Sequence, residues 1–272
     1  MAPPGEEENT PEDVEIQEKG DIYFFYRPKV GNEEPHSSDD VQRLYIVLRP
    51  HQEKQPPQEE KDEEKSMLLR LILMGKKSLP DPAKRSRPYW GFVELVTTKI
   101  QDVKDALQAE EYDTKTKGHR HKPAARALGE GVYRILKHHS RKKMHTHLVY
   151  KLEFPSEGAQ NQPQEELNVE REGSFLIQIK NPTQGQGQKK TKKKKAIFPA
   201  QLQGQFGKLR YHVADPTEFL NYEGCEFLLI SASDDIHKEL GLEMIEQDVS
   251  CSDLVNTFGE TVSADALFRG IW

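Results

Sequence analysis

Histidines are the first residues of this chain whose spacing suits chemistry, because six of the ten lie between His119 and His147. His145 and His147 are two residues apart in a predicted β-strand, so both side chains should point to one face and could share a metal ion. Lys151 is on that same face, however, and a neighbouring cation opposes metal binding. We therefore predict exposed strand histidines, no metal site and no cofactor.

A basic sheet surface is the second pattern in the sequence. Apolar and polar residues alternate in three predicted strands, and the alternation places a set of cationic side chains outward. If these strands share a sheet, they form a surface for an anionic partner or nucleic acid, comprising His145, His147, Lys151, Lys180, Lys208, Arg210 and His212. An ordinary polar outer face is the alternative. Base stacking is not predicted, because these strands lack the aromatic pattern of RNA-binding sheets.

A run of lysines follows a Gly- and Gln-rich stretch and fills six of the seven positions 189–195. It connects two predicted strands, so the core does not depend on it. Basic runs of this length act as nuclear-import signals or nucleic-acid contacts. We predict import first, with a solvated loop or a nucleic-acid contact as alternatives, through Lys189, Lys190, Lys192, Lys193, Lys194 and Lys195.

Catalytic motifs are lacking in the sequence. It contains no G-x-S-x-G, H-E-x-x-H, Walker or G-x-G-x-x-G pattern. Cys225 alternates with Phe227 and Leu229, so we predict a core position for it and not a nucleophile. We predict no catalytic residues, and an enzyme with an unrecognised site is kept as an alternative.

Composition indicates a reduced, intracellular environment. There are two cysteines in unlike surroundings, which favours free thiols in the nucleus or cytoplasm. The N-terminus is acidic and has no signal-peptide pattern. No apolar run approaches the ~18 residues of a membrane helix, so no membrane contact is predicted. The net charge is −6, but basic stretches at 115–151 and 189–195 point to an anionic partner.

The elements that would position these residues are mostly strands. Nine strand-like segments and three short helices predict a mainly β, β-rich α+β fold, either an antiparallel sandwich or a partly closed barrel. We predict one domain over residues 20–242 with polar inserts at 50–65, 113–125, 156–171 and 183–196. Residues 1–19 should form a disordered acidic tail. Residues 243–272 should form an acidic tail that either docks through Leu267, Ile271 and Trp272 or serves as a linear motif.

A set of segments gives the chain a resemblance to a known family. The segments are "GDIYFFYRPKVG", "DDVQRLYIVLRP", "PYWGFVELVT", "LGEGVYRIL", "THLVYKLEFP" and "RYHVADPTEFLNYEGCEFLLISAS". Over residues 20–242 they resemble a plant protein family, with similar shorter sequences in bacteria, whose members often carry the label BTB/POZ domain protein. That label implies dimerisation and adaptor work, and the resemblance implies no catalytic residue set.

Together these patterns predict a non-catalytic binding or adaptor protein. We expect a protein partner, engaged through the basic sheet face where that partner is anionic. Direct nucleic-acid binding through residues 189–195 is the alternative within the binding class.

Overall fold

A computed structural model describes residues 14–51, 68–84, 87–140, 143–155, 161–184, 194–233, 236–240 and 253–272. The strands are β1 Val14–Pro28, β2 Val41–Pro50, β3 Leu69–Met74, β4 Tyr89–Thr97, β5 Glu110–Thr114, β6 Gly118–Lys122, β7 Arg126–Ser140, β8 Lys143–Phe154, β9 Glu172–Lys180, β10 Tyr211–Val213 and β11 Glu226–Ser233. The α-helices are α1 Ile100–Leu107, α2 Gln162–Glu166, α3 Ala200–Gln205, α4 Ile236–Leu240, α5 Asp253–Phe258 and α6 Asp265–Arg269. Two 3-10 helices span Ser38–Asp40 and Thr217–Asn221.

Eight of the strands form a closed antiparallel barrel. Their order is β9–β11–β4–β3–β2–β1–β7–β8, and β8 pairs again with β9. The predicted mainly β class is therefore confirmed, and of the two predicted forms the barrel is right. Closure removes the free edges that an open sheet would leave.

Strand β10 extends the barrel wall at one point. β8 pairs with β9 as far as Leu176, and β10 pairs with the next part of β9, from Gln178 to Lys180. Thr146 bridges the change of partner, because its hydroxyl donates to Ile177 O at 2.9 Å and accepts from Ala214 N at 2.8 Å. The outer face of β9 consequently continues onto β10.

The barrel lumen is filled with apolar and aromatic side chains. They alternate along each strand with outward-facing residues, as expected for a closed sheet. The buried lumen residues include Ile22, Phe24, Tyr26, Ile46, Leu48, Ile72, Tyr133, Tyr150, Phe175, Ile177, Phe227 and Leu229. This packing leaves the outer surface of the barrel as the place where binding residues can gather.

One polar cluster lies among these lumen residues. The Arg70 guanidinium donates to both carboxylate oxygens of Glu18 at 2.5 and 2.9 Å and, through Nε, to Asn221 Oδ1 at 2.7 Å. The Tyr133 hydroxyl donates to Glu18 at 2.7 Å, and burial raises the pKa of Tyr133, which keeps its proton in place. Arg70 is only 2% exposed, and its charge is neutralised within the cluster. The cluster therefore braces β1, β3 and β7 against one another.

Helices cover two parts of the outer surface. α1, α5 and α6 pack over β1, β2 and β3 around Phe25, Val103 and Phe258. α4 packs over β7 and β8, where Ile236 and Leu240 contact Leu136 and Val149. The outer face of β4, β11, β9 and β10 is a separate part of the barrel wall.

Several predicted boundaries need correction. The disordered N-terminal tail does not extend to residue 19, because β1 begins at Val14 and pairs there with His138 of β7. Residues 1–13 lie outside the described residues. The insert at 113–125 is not merely a loop, since β5 and β6 form a hairpin over residues 110–122. The insert at 156–171 contains α2, which Asn161 caps by accepting from Gln164 N at 3.1 Å.

Residues 253–272 are helical and dock on the barrel. Leu267 is buried, and the Trp272 ring packs edge-on to Tyr26 with centroids 5.4 Å apart. Ile271 is exposed, so it is not an anchor. Backbone hydrogen bonds also hold the segment on the barrel; for example, Ala127 N donates to Ser263 O at 2.8 Å.

Candidate binding surface

The outer face of β4, β11, β9 and β10 carries a row of large side chains. Strand register aligns Trp90 with Leu228, Leu228 with Gln178, and Gln178 with Val213. Residues directly opposite in neighbouring strands point to the same face of a sheet. The row therefore crosses four strands: Leu228 is buried within it, whereas Trp90, Gln178 and Val213 are partly exposed.

A second row lies beside the first on the same face. Tyr211 pairs with Lys180 in the register of β10 and β9, and Glu226 pairs with Phe92 in that of β11 and β4. The Lys180 ammonium also forms a salt bridge with Glu226, which links the two halves of this row. The second row thus contains two aromatic rings and a pair of oppositely charged side chains.

Four residues of this face form what we call the cation–aromatic patch: Trp90, Lys180, Arg210 and Tyr211. The Trp90 and Tyr211 rings lie 6.3 Å apart between centroids at an angle of 41°. Lys180 Nζ is 5.1 Å from the centre of the Trp90 ring, and Arg210 Cζ is 5.6 Å from that of Tyr211. Cations at these distances are attracted to the ring faces, so the patch holds rings and charges together on the outer wall.

Asn181 fixes the turn that presents Arg210. This side chain is almost completely buried, and its Nδ2 donates to Leu209 O at 3.1 Å. Its backbone N–H donates to Arg210 O at 2.9 Å, and its Oδ1 accepts from Gln203 of α3 at 3.1 Å. The polypeptide just before β10 is therefore held by the end of β9, and Arg210 is rigidly placed beside Tyr211.

Exposed cations lie around the patch. Lys195, Lys208 and Arg210 are exposed, and within the described part of the chain no ion pair engages them. Lys194, by contrast, donates to Glu223, and this hydrogen bond lowers the pKa of the Glu223 carboxyl. Charges without a partner are the ones that can neutralise an incoming anion at small desolvation cost.

The predicted basic face is interrupted at β8. His147 is buried, with Nδ1 3.1 Å from Ser174 Oγ and its ring 5.5 Å from that of His138. Burial, helped by the neighbouring His138 and His145, lowers the pKa of His147 to about 4. His147 is therefore neutral at pH 7, and its prediction as an anion contact is wrong.

The inward and outward faces of β10 were predicted the wrong way round. The His212 ring packs inward against Phe206 and Phe219, with centroids 5.8 Å from each. Leu209, the apolar residue that alternates with Lys208 and Arg210, is 59% exposed. The reason is the preceding turn: α3 ends at Gln205, the next residue Phe206 fills the end of the barrel, and Gly207 follows with φ 51°.

The remaining predicted residues divide between two locations. Lys180, Lys208 and Arg210 come together at the patch. His145 and Lys151 lie on β8, on the side of the barrel that α4 covers, and Lys151 has an interaction partner there. Of the lysine run, Lys194 and Lys195 are exposed, whereas Lys189, Lys190, Lys192 and Lys193 lie outside the described residues.

Sequence reasoning missed the two rings of the patch. Trp90 and Tyr211 lie far apart in the chain. Their side chains meet because β4 and β10 belong to the same sheet, with only β11 and β9 between them. The alternation in "PYWGFVELVT" could have placed Trp90 outward, but no local signal pairs it with Tyr211.

Histidines and acidic residues also meet on the β5–β6 hairpin. On the β5–β6 hairpin, His119 lies 3.3 Å from Asp113, and His121 lies 2.9 Å from Glu33. Across the described ranges no group of three or more His, Cys, Asp and Glu is arranged to hold a metal ion. Cys225 is buried as predicted, and burial raises the pKa of its thiol, so it is unreactive.

Comparison with family models, curated proteins and solved structures gave no match. Among the helices that the structure describes, none is long and apolar enough to cross a membrane.

Proposed function

We propose that this protein acts by binding, as a non-catalytic binding or adaptor protein, and that its partner is an extended anionic polymer. The contact surface is the cation–aromatic patch with Lys195 and Lys208 beside it. The observation that carries the proposal is the Trp90 and Tyr211 ring pair on the outer sheet face, with the exposed Arg210 over the Tyr211 ring. Two further exposed cations without ion-pair partners in the described chain lie on segments that lead into this face: Lys208 shortly before β10, and Lys195 beside Gly224 just before β11.

The filled barrel lumen supports binding over catalysis. Enzyme sites are usually concave pockets with convergent polar groups. Here the buried charges of Arg70 and Glu18 are paired with each other inside the barrel and do not converge on a pocket. The convex outer wall instead suits a partner that lies along it. We place this function in the nucleus or cytoplasm, and import through the lysines at 189–195 stays a prediction.

The proposal predicts salt-dependent binding that depends on three particular cations. The variant K195A/K208A/R210A should weaken binding of a single-stranded oligonucleotide. It should also reduce the slope of log K against log salt by about 2, since each phosphate contact contributes about 0.7 for a single strand. Fluorescence anisotropy between 50 and 200 mM salt, the approximate range where such effects are large, measures both quantities.

A matched control variant removes three positive charges outside the proposed contact surface. Lys76, Lys115 and Lys117 are exposed and have no ion pair in the described residues, so K76A/K115A/K117A should bind like the unchanged protein. Heparin and polyglutamate serve as further anionic probes. The proposal fails if none of the three probes binds at low salt, or if both triple variants weaken binding equally.

A further inference from the structure

We propose that the anionic partner is single-stranded nucleic acid, and that Trp90 and Tyr211 stack on its bases. This inference rests on the proposed function and names the class of polymer. The juxtaposition behind it is two aromatic rings and an arginine on one outer sheet face, assembled from β4, β10 and the turn before β10.

The character of the face favours bases over acidic side chains. An acidic peptide would use the cations alone and would leave a row of apolar surface without a partner. Trp90 and Val213 are partly exposed and provide flat and aliphatic surface, and Gln178 between them offers an amide donor and acceptor. Every base has a ring face that stacks on aromatic side chains and edges that accept amide hydrogen bonds.

Unpaired bases are required for this contact. In a duplex the bases already stack on each other and are read only by elements that enter a groove. The patch lies on the wall of the barrel, within paired strands, so its rings can meet only bases that are free to turn outward. Single strands satisfy that condition.

The cations of the patch and the exposed lysines near it have two different roles. Lys180 is engaged by Glu226 and by the Trp90 ring, so it holds that ring in place and adds little to phosphate binding. Arg210, Lys208 and Lys195 are the phosphate contacts, because no ion pair in the described chain engages them. Rings flanked by such cations are the combination that proteins use for single strands without strong sequence preference.

Trp90 provides a direct optical test. The chain has two tryptophans, so the variant Trp272→Phe leaves Trp90 as the one fluorophore. An oligothymidylate of about 16 nucleotides, within the usual range for one binding domain, should quench Trp90 fluorescence on binding. An abasic deoxyribose-phosphate oligomer of the same length should bind through its phosphates and leave the fluorescence unchanged.

Leucine variants separate stacking from charge. Trp90→Leu and Tyr211→Leu keep the apolar surface and all cations, and each should weaken oligothymidylate binding about tenfold, the scale of one lost stacking contact. Affinity for the abasic oligomer should not change. Phe268→Leu removes an exposed ring on α6, outside the patch, and should bind oligothymidylate like the unchanged protein.

The outcomes distinguish this inference from the function on which it rests. If the unchanged protein binds abasic oligomer, polyglutamate and oligothymidylate equally, without quenching, the base-stacking inference is overturned while anionic binding stands. If no polyanion binds at all, both fall. If Trp90→Leu and Tyr211→Leu bind oligothymidylate as tightly as the unchanged protein, or if Phe268→Leu loses as much affinity as they do, the patch rings are not the contact and the inference is overturned.

Discussion

His147 is a histidine that the surrounding fold keeps neutral. It lies under the side of the barrel covered by α4, beside Ser174 and the His138 ring. Burial lowers its pKa to about 4, whereas a histidine in an unfolded chain titrates near 6.5. Below about pH 6.5 the unfolded chain therefore takes up a proton that the folded protein does not.

This linkage predicts loss of stability in acid. Stability from His147 is complete above about pH 6.5 and falls as the pH drops towards 4, since the unfolded state binds more protons there. Between pH 7 and pH 5 the free energy of unfolding should fall by about 2 kcal/mol through this residue. Urea unfolding at the two pH values measures the difference.

Substitution of the histidine gives the test its control. His147→Gln keeps a polar partner for Ser174 and cannot titrate, so its stability should change less between pH 7 and pH 5. His139→Gln removes an exposed histidine of the neighbouring strand and should behave like the unchanged protein. Identical pH dependence in both variants would contradict a role for His147.

At the scale of elements, alternation in the sequence predicts the strands well. The β-branched and aromatic segment "VQRLYIVLRP" coincides with β2, and the helical spacing of Ile100, Val103 and Leu107 coincides with α1. Each of these signals is local, because it depends on side-chain spacing within one element. Strand order is not local, and so the closure of the barrel between β8 and β9 could not be read from any single segment.

In the candidate site, too, some features follow from local sequence patterns and others from the order and register of the strands. Lys180, Lys208 and Arg210 were predicted as exposed cations from alternation and lie near one another at the patch. His212 was assigned to the wrong face because β10 is only three residues long, and the aromatic residues at the barrel end determine its orientation. The Trp90 and Tyr211 pair depends on the register of three strand pairings, which the sequence does not encode locally.

Arg27 joins one strand to the helix that covers it. The side chain is completely buried and donates to three carbonyl oxygens. These are Ala106 O at 2.7 Å, Gln108 O at 3.0 Å and Pro123 O at 2.5 Å. Two of these carbonyls lie at the C-terminal end of α1, where backbone oxygens lack helical partners. Arg27 therefore anchors α1 to the rim of the barrel.

Removing this anchor should cost much of the stability. Arg27→Met keeps the aliphatic volume but leaves buried carbonyls unpaired, and the free energy of unfolding should fall by about 3 kcal/mol or more. Arg43, which pairs with Arg27 in the neighbouring strand, is exposed, so Arg43→Met should stay within about 0.5 kcal/mol. Urea unfolding compares the two, and equal stability would show that the anchor is unimportant.

At the scale of the whole molecule, the C-terminal helices complete the fold. The outer face of β1 carries Tyr23 and Phe25, which would be exposed on a bare barrel. The Phe258 ring of α5 covers them, with centroids 5.6 and 5.3 Å away in edge-to-face contact. Large aromatic residues packed this way contribute more than their buried area alone. The segment after residue 252 therefore belongs to the domain's second core.

A substitution of Phe258 tests whether the C-terminal helices are part of the cooperatively folded core. Phe258→Ala should lower the free energy of unfolding by about 3–5 kcal/mol, because it opens a cavity over two buried rings. A typical domain has about 5–15 kcal/mol in total, so this loss should also lower the thermal midpoint sharply. Phe268, on the next helix, is 58% exposed, and Phe268→Ala should change stability little. If chemical unfolding gives the two variants equal stability, the C-terminal helices are not part of the cooperative unit.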